Sequence, residues 1–160
     1  MRYFAYGSNL STRRIRSRIA ADVIGVASLK DYRLAFHKVS RDGSGKGDVC
    51  PSPGETVIGV VYDIDDSEKE ILDRIEGLGS GYRQEDVVVT LADRSTLNAT
   101  TYIALDVDPS IKPYAWYLQH VLIGAREQGF PPDYISTIEA TTTHKDPDSG
   151  RRERELAIYA

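Results

Sequence analysis

Strand-forming runs follow one another directly in this sequence, with helical segments interspersed irregularly, and that order excludes the strict strand–helix alternation of a parallel sheet. Met1 to Tyr6 sets Arg2, Phe4 and Tyr6 against Tyr3 and Ala5, the period-two pattern of a strand. Val23 to Leu29 and Tyr32 to Val39, broken at Lys30-Asp31, read as a hairpin. Val57 to Ile64 places Ile58, Val60, Tyr62 and Ile64 on one side. Gln84 to Leu91 and Thr96 to Leu105 form a second hairpin around Ala92-Asp93-Arg94-Ser95. About six strands in this order predict an α+β domain on a mostly antiparallel sheet, curled or closed on itself.

Helical periodicity fills the gaps. Leu10, Ile15 and Ile19 make a loose stripe capped by Asn9 or Ser11, and Arg13, Arg14, Arg16 and Arg18 on the remaining faces read as a solvated surface. Ser67 and Glu70 have capping-box spacing, followed by the stripe Ile71, Leu72, Ile75 and by Gly77, suited to the left-handed position after a helix. Tyr114, Tyr117, Leu118, Val121, Leu122 and Ala125 give the clearest amphipathic pattern, ended by Gly129. Pro131-Pro132 then opens a short helix with Tyr134, Ile135 and Ile138 inward. Ser40 to Gly54, rich in Gly, Ser, Pro and Asp, reads as a long mobile loop. Residues 1–140 are expected to form the domain and 141–160 a polar tail.

Composition excludes several functions. The 160 residues suit one soluble domain, and 20 Lys+Arg against 24 Asp+Glu leave a net charge of −4, so no global field draws in nucleic acid. No apolar run has the length of a membrane span, and the N-terminus reads as a strand rather than a signal peptide, so a cytoplasmic protein with no membrane partner is expected. Cys50 is the only cysteine, which excludes an internal disulfide and fits a reducing compartment. His37, His120 and His144 stand far apart in the chain, so no metal and no cofactor are expected, and Cys50 has no evident His partner for a nucleophilic role. Gly43-Ser44-Gly45-Lys46-Gly47 fails the phosphate-loop pattern at both ends, where Ser40 and Gly47 stand.

Three features carry chemistry. A Gly7-Ser8-Asn9 turn between a strand end and a helix start aims consecutive N–H groups outward, a cradle for a carboxylate or for an oxygen acquiring charge. Glu76 occupies a last helical turn at the edge of the apolar stripe, where the macrodipole and partial desolvation both raise a carboxyl pKa and make a better base. Ten tyrosines against three phenylalanines and one tryptophan suggest a phenol-lined pocket, with Tyr6, Tyr82, Tyr102 and Tyr114 at element ends.

Taken together, Tyr3-Phe4-Ala5-Tyr6-Gly7-Ser8-Asn9-Leu10, Pro53-Gly54 before Val57-Ile58-Gly59-Val60-Val61-Tyr62, Glu76-Gly77 with Gly81-Tyr82, and Gly124 to Gly129 with Pro131 and Tyr134 resemble the gamma-glutamylcyclotransferase family. The resemblance covers about residues 1 to 140. It implies a small β-barrel flanked by helices and a cytosolic enzyme that releases 5-oxoproline from a γ-glutamyl amino acid or amine. It places the substrate loop on Tyr6, Gly7, Ser8, Asn9 and Leu10, the catalytic glutamate on Glu76, and pocket tyrosines on Tyr82, Tyr102 and Tyr114. The attacking group is the substrate's own α-amine, which accounts for the lack of a Ser-His-Asp or Cys-His set. A module that binds a small ligand without turning it over is the alternative, and glutathione or a polyamine amide remain open as substrates. The oligomeric state also stays open, a homodimer among the options.

Overall fold

Five strands close into a barrel in the order β1-β3-β2-β4-β5. The computed structural model describes all 160 residues. β1 (Arg2–Ala5), β2 (Asp22–Val39), β3 (Gly45–Asp63), β4 (Tyr82–Leu91) and β5 (Thr96–Ala104) pair antiparallel, except that β1 meets β5 in parallel at Tyr3 and Thr100 to close the ring. β4 and β5 form the hairpin expected from the sequence.

Two readings change at the long ribbon β2–β3. The runs on either side of Lys30-Asp31 do not fold back on each other. They form one strand of 18 residues that pairs with β3 from end to end. Asp31 takes a left-handed backbone (φ 63) where the register shifts, so the supposed turn is a bulge that bends the ribbon. Its carboxylate accepts the N–H of Gly54 on the opposite strand at 3.0 Å. The segment read as a long loop contributes residues from Gly45 onward to β3. A Cβ on Gly45 would lie 2.1 Å from the carbonyl oxygen of Phe36, so this glycine permits close strand approach rather than mobility.

Five α-helices flank the barrel: α1 (Thr12–Arg16), α2 (Asp66–Glu76), α3 (Ala115–Glu127), α4 (Pro132–Glu139) and α5 (Arg151–Leu156). Ser11 caps α1, its hydroxyl accepting the N–H of Arg14. α2 starts before the expected capping box, with Asp65 at the cap and Asp66 and Glu68 in a first turn that suits acidic side chains. Gly77 ends it in the left-handed conformation (φ 68).

The alternation along β1 divides two cores. Phe4 and Tyr6 point into the barrel with Val49, Val57, Val61 and Val89, while Tyr3 and Ala5 pack under the helices with Leu10, Leu72, Val121 and Ile138. Residues 141–160 run back over the domain. Asp146 accepts the indole N–H of Trp116 in α3 at 2.8 Å and a two-pronged bond from Arg151, which holds its carboxyl well below the usual range. No helix is long and apolar enough to cross a membrane.

Candidate active site

β1 runs out at Ala5, and Tyr6-Gly7-Ser8-Asn9-Leu10 turns into a 3-10 segment, Ser8–Leu10, ahead of α1. The turn is clamped from behind. Leu10 is fully buried, and Gly124 of α3 lies so close that a Cβ there would fall 2.4 Å from the backbone nitrogen of Ser11. The Tyr62 hydroxyl shares its one proton between the carbonyls of Asn9 at 2.9 Å and Leu10 at 3.1 Å. The carbonyl side of the turn is therefore occupied, while no turn, loop or cap bond of the backbone uses the N–H groups of Gly7, Ser8 or Asn9.

The end of α2 meets this turn. Asn9 Nδ2 donates to Glu76 Oε1 at 3.2 Å and to the Tyr3 hydroxyl at 3.1 Å, and Asn9 Oδ1 accepts from Arg18 at 3.3 Å. Arg18 Nη1 also lies 3.7 Å from Glu76 Oε1. The Glu76 side chain is only 17% exposed, and burial raises its pKa above the ordinary carboxyl value against the pull of Arg18, Arg14, Lys38 and the Asn9 bond. Desolvation outweighs three nearby cations, leaving a carboxylate more basic than a free one.

Glu76, Gly7, Ser8 and Asn9 share a cleft with Gly47 and the phenols of Tyr3, Tyr6, Tyr82, Tyr102 and Tyr117. These rings are fixed by their hydroxyls. Tyr6 donates to the Tyr102 carbonyl at 2.5 Å, Tyr82 to the Gly47 carbonyl at 2.7 Å, and Tyr102 to Asp73 at 2.6 Å, while Tyr117 accepts the Gly47 N–H at 2.9 Å. Burial pushes the phenols of Tyr3, Tyr6 and Tyr82 far above their usual range, so they stay neutral and shape the wall.

A wider cleft shares Ser8, Glu76, Tyr82 and Tyr117 and adds Arg14, Arg18, Lys38 and Lys46. Three of these cations have carboxylate partners: Arg14 with Glu155 at 2.8 Å, Arg18 with Glu76, and Lys46 with Asp42 at 3.0 Å. Lys38 has none and lies over the Tyr82 ring, 4.9 Å from its centroid. Arg14 is 8% exposed, and its Nε is the one buried side-chain nitrogen or oxygen without a hydrogen-bond partner.

Of the residues singled out in the sequence, Glu76, Tyr6, Gly7, Ser8, Asn9, Tyr82 and Tyr102 line the first cleft. Leu10 contributes its backbone and buries its side chain. Tyr114 lies elsewhere: as the cap before α3 it donates to the Asp42 carbonyl at 2.6 Å and stacks on His144, and Tyr117, three residues on, turns into the cleft instead. The first helix is not a wholly solvated face, since Arg14 and Arg18 turn inward. Tyr3, Gly47, Lys38 and Lys46 were not among the site residues read from the sequence, because each reaches the cleft through strand pairing rather than local spacing. Cys50 does have a His neighbour, His37, brought alongside by the β2–β3 ladder.

The model of the AIG2-like family matches residues 56–138. The chain is 34% identical over 139 residues to gamma-glutamylcyclotransferase of Bos taurus, covering 82% of this chain and 73% of that protein. It is 34% identical over 145 residues to gamma-glutamylcyclotransferase of Homo sapiens, covering 86% and 77%. Among solved structures, a gamma-glutamyl cyclotransferase superimposes with a TM-score of 0.89 at 30% identity, covering 99% of this chain and 98% of that one.

Proposed function

This chain belongs to the AIG2-like gamma-glutamylcyclotransferase family, and from that premise we propose that Glu76 drives an intramolecular ring closure on a γ-glutamyl amino acid held in the tyrosine-lined cleft. The chain is an enzyme of the class that forms 5-oxoproline. One observation carries the assignment of the base: the only carboxylate lining the cleft lies within hydrogen-bond reach of the glycine-turn asparagine.

In the proposed reaction the substrate's α-amine attacks its own γ-carbonyl carbon. The new C–N bond closes the five-membered ring, the amide C–N bond breaks, and the leaving amine takes a proton. The free N–H groups of the Gly7-Ser8-Asn9 turn hold an anionic oxygen of the glutamyl group, and the phenol wall holds the chain folded back. An α-ammonium with pKa about 8 gives its proton to an ordinary glutamate, pKa about 4.3, at a cost of about 5 kcal/mol. Burial of Glu76 lowers that cost, and the same carboxyl then hands the proton to the departing nitrogen.

The charges of the wider cleft support a leaving group that carries a carboxylate. With three cations paired, Lys38 is what remains to receive one negative charge. A γ-glutamyl amino acid brings that charge, whereas a γ-glutamyl polyamine brings the opposite one. A cytoplasmic location goes with this reading, and cell fractionation tests it.

The experiment is a 5-oxoproline assay on γ-glutamyl dipeptides, γ-glutamyl alkylamines and glutathione, with the wild-type chain and Glu76→Gln. The expected result is release from substrates with an α-carboxylate on the leaving group and a loss of about 10²–10⁴-fold in Glu76→Gln. Near-normal release by that variant refutes the role of Glu76, and a ligand recovered intact from the wild-type protein points to binding without turnover.

A further inference from the structure

Away from the cleft, the β2–β3 ladder assembles a second group of chemistry-bearing side chains. β3 faces β2 with Cys50 opposite Arg33 and Asp48 opposite Ala35, and a register shift just beyond Ala35 swings His37 back over Asp48. His37 Nε2 lies 2.7 Å from Asp48 Oδ2, and the Cys50 sulfur lies 3.4 Å from that same nitrogen and 3.6 Å from that same oxygen. Three donor atoms of three kinds thus form one closed triangle.

We propose that His37, Asp48 and Cys50 form a binding site for one borderline transition-metal ion of the zinc type, with a water completing the coordination. Geometry supports it first. Tetrahedral zinc with bonds of about 2.3 Å to sulfur and about 2.0–2.2 Å to nitrogen and oxygen sets sulfur about 3.6 Å from each of the other ligands, and those two about 3.4 Å apart. The two sulfur edges already match, and only the His37–Asp48 edge must open by about 0.7 Å as its hydrogen bond is replaced.

The chemistry of the set agrees. A thiol, an imidazole and a carboxylate suit zinc or cobalt rather than calcium or magnesium, which take oxygen ligands throughout. The other carboxylate oxygen of Asp48 is already fixed, accepting the Ala104 N–H of β5 at 2.9 Å, which is the outer support that orients a ligating carboxylate. Protons balance as follows: the imidazole proton shifts from Nε2 to Nδ1, which makes no bond to the protein, and the Cys50 thiol releases one proton per ion bound. Thiolate and carboxylate then neutralise a divalent charge at a half-buried position.

The test uses the full chain, freed of metal with a chelator and titrated with Co²⁺. The expected result is one Co²⁺ per chain with a thiolate-to-cobalt charge-transfer band, displaced by Zn²⁺ and absent in Cys50→Ser, with His37→Gln binding at least about 10-fold more weakly. Thermal melts of the metal-free variants check that the fold persists, and if Cys50→Ser does not fold, Cys50→Ala and His37→Gln carry the same spectroscopic readout. Absence of the band in the wild-type chain, or a band that survives loss of Cys50, overturns the proposal. The readout is independent of 5-oxoproline release, so its outcome does not depend on the assignment of Glu76.

Discussion

Replacing Lys38 with Met removes the one cation of the wider cleft that no carboxylate balances. An ammonium about 4 Å from a leaving-group carboxylate interacts by about 4 kcal/mol at an effective dielectric of about 20. Lys38 is half-exposed, and solvent screening with the cost of ordering its side chain brings the net to about 1–2 kcal/mol. That corresponds to a drop of about 5–30-fold in kcat/KM for a γ-glutamyl amino acid. Lys38 also helps keep Glu76 ionised, so its removal acts on the base whichever substrate is bound. The discriminating quantity is therefore the ratio of kcat/KM for a γ-glutamyl amino acid to that for the matching γ-glutamyl alkylamine, measured by 5-oxoproline release. The ratio should fall by the full factor in Lys38→Met and recover in Lys38→Arg. An unchanged ratio, with both substrates slowed alike, would refute recognition of the leaving-group carboxylate here.

Glu76→Gln should raise thermal stability while cutting turnover by the factor given above. The folded-state pKa of Glu76 lies above its ordinary value, so the ionised side chain costs stability; the variant's advantage should be absent below that ordinary value, grow as pH rises to the folded-state pKa and level off beyond it. Glu155 has the opposite sign, its pKa held down to about 2 by contacts with His120 and Arg14. Glu155→Gln should melt below wild type at neutral pH, with the gap closing as pH falls from 4.5 toward 2. Gly124→Ala pushes a methyl against the backbone of Leu10 and Ser11, so urea denaturation should show a loss of about 1–3 kcal/mol and turnover should fall with the displaced turn.

Local pattern identified what local physics controls. The alternation of Tyr3 to Tyr6, the left-handed glycine after Glu76 and the amphipathic stripe of α3 depend on neighbours within a turn or two, and each appears in the structure close to where the sequence puts it. Asp31 and Gly54 misled because turn chemistry and bulge chemistry use the same residues; both have positive φ, and only their pairing partners tell a hairpin from a bent ribbon. Gly45 misled because glycine required for close strand packing looks, in sequence, like glycine that permits motion. The cations of the wider cleft were illegible for a related reason. Arg14, Arg18, Lys38 and Lys46 come from three separate stretches of an acidic chain, and only barrel closure brings them to one side of Glu76.

The C-terminal residues show how far a site's electrostatics can be set from outside it. Arg14 Nη1 donates to Glu155 Oε2 at 2.8 Å and to His120 Nε2 at 3.0 Å, while His120 Nδ1 lies 2.7 Å from the Tyr159 hydroxyl, which reaches Ser11 Oγ at 3.0 Å. Ser11 caps the helix that carries Arg14, so the loop of contacts returns to its starting point. Burial holds His120 toward its neutral form, leaving Glu155 as the counter-charge of Arg14. A buried arginine with its terminal nitrogen committed this way is held by Glu155 and His120 rather than paired with Glu76, a pairing that would acidify the base further. The polar tail thus supplies Arg14 with a counter-charge of its own, which weakens its pull on the base from outside the cleft.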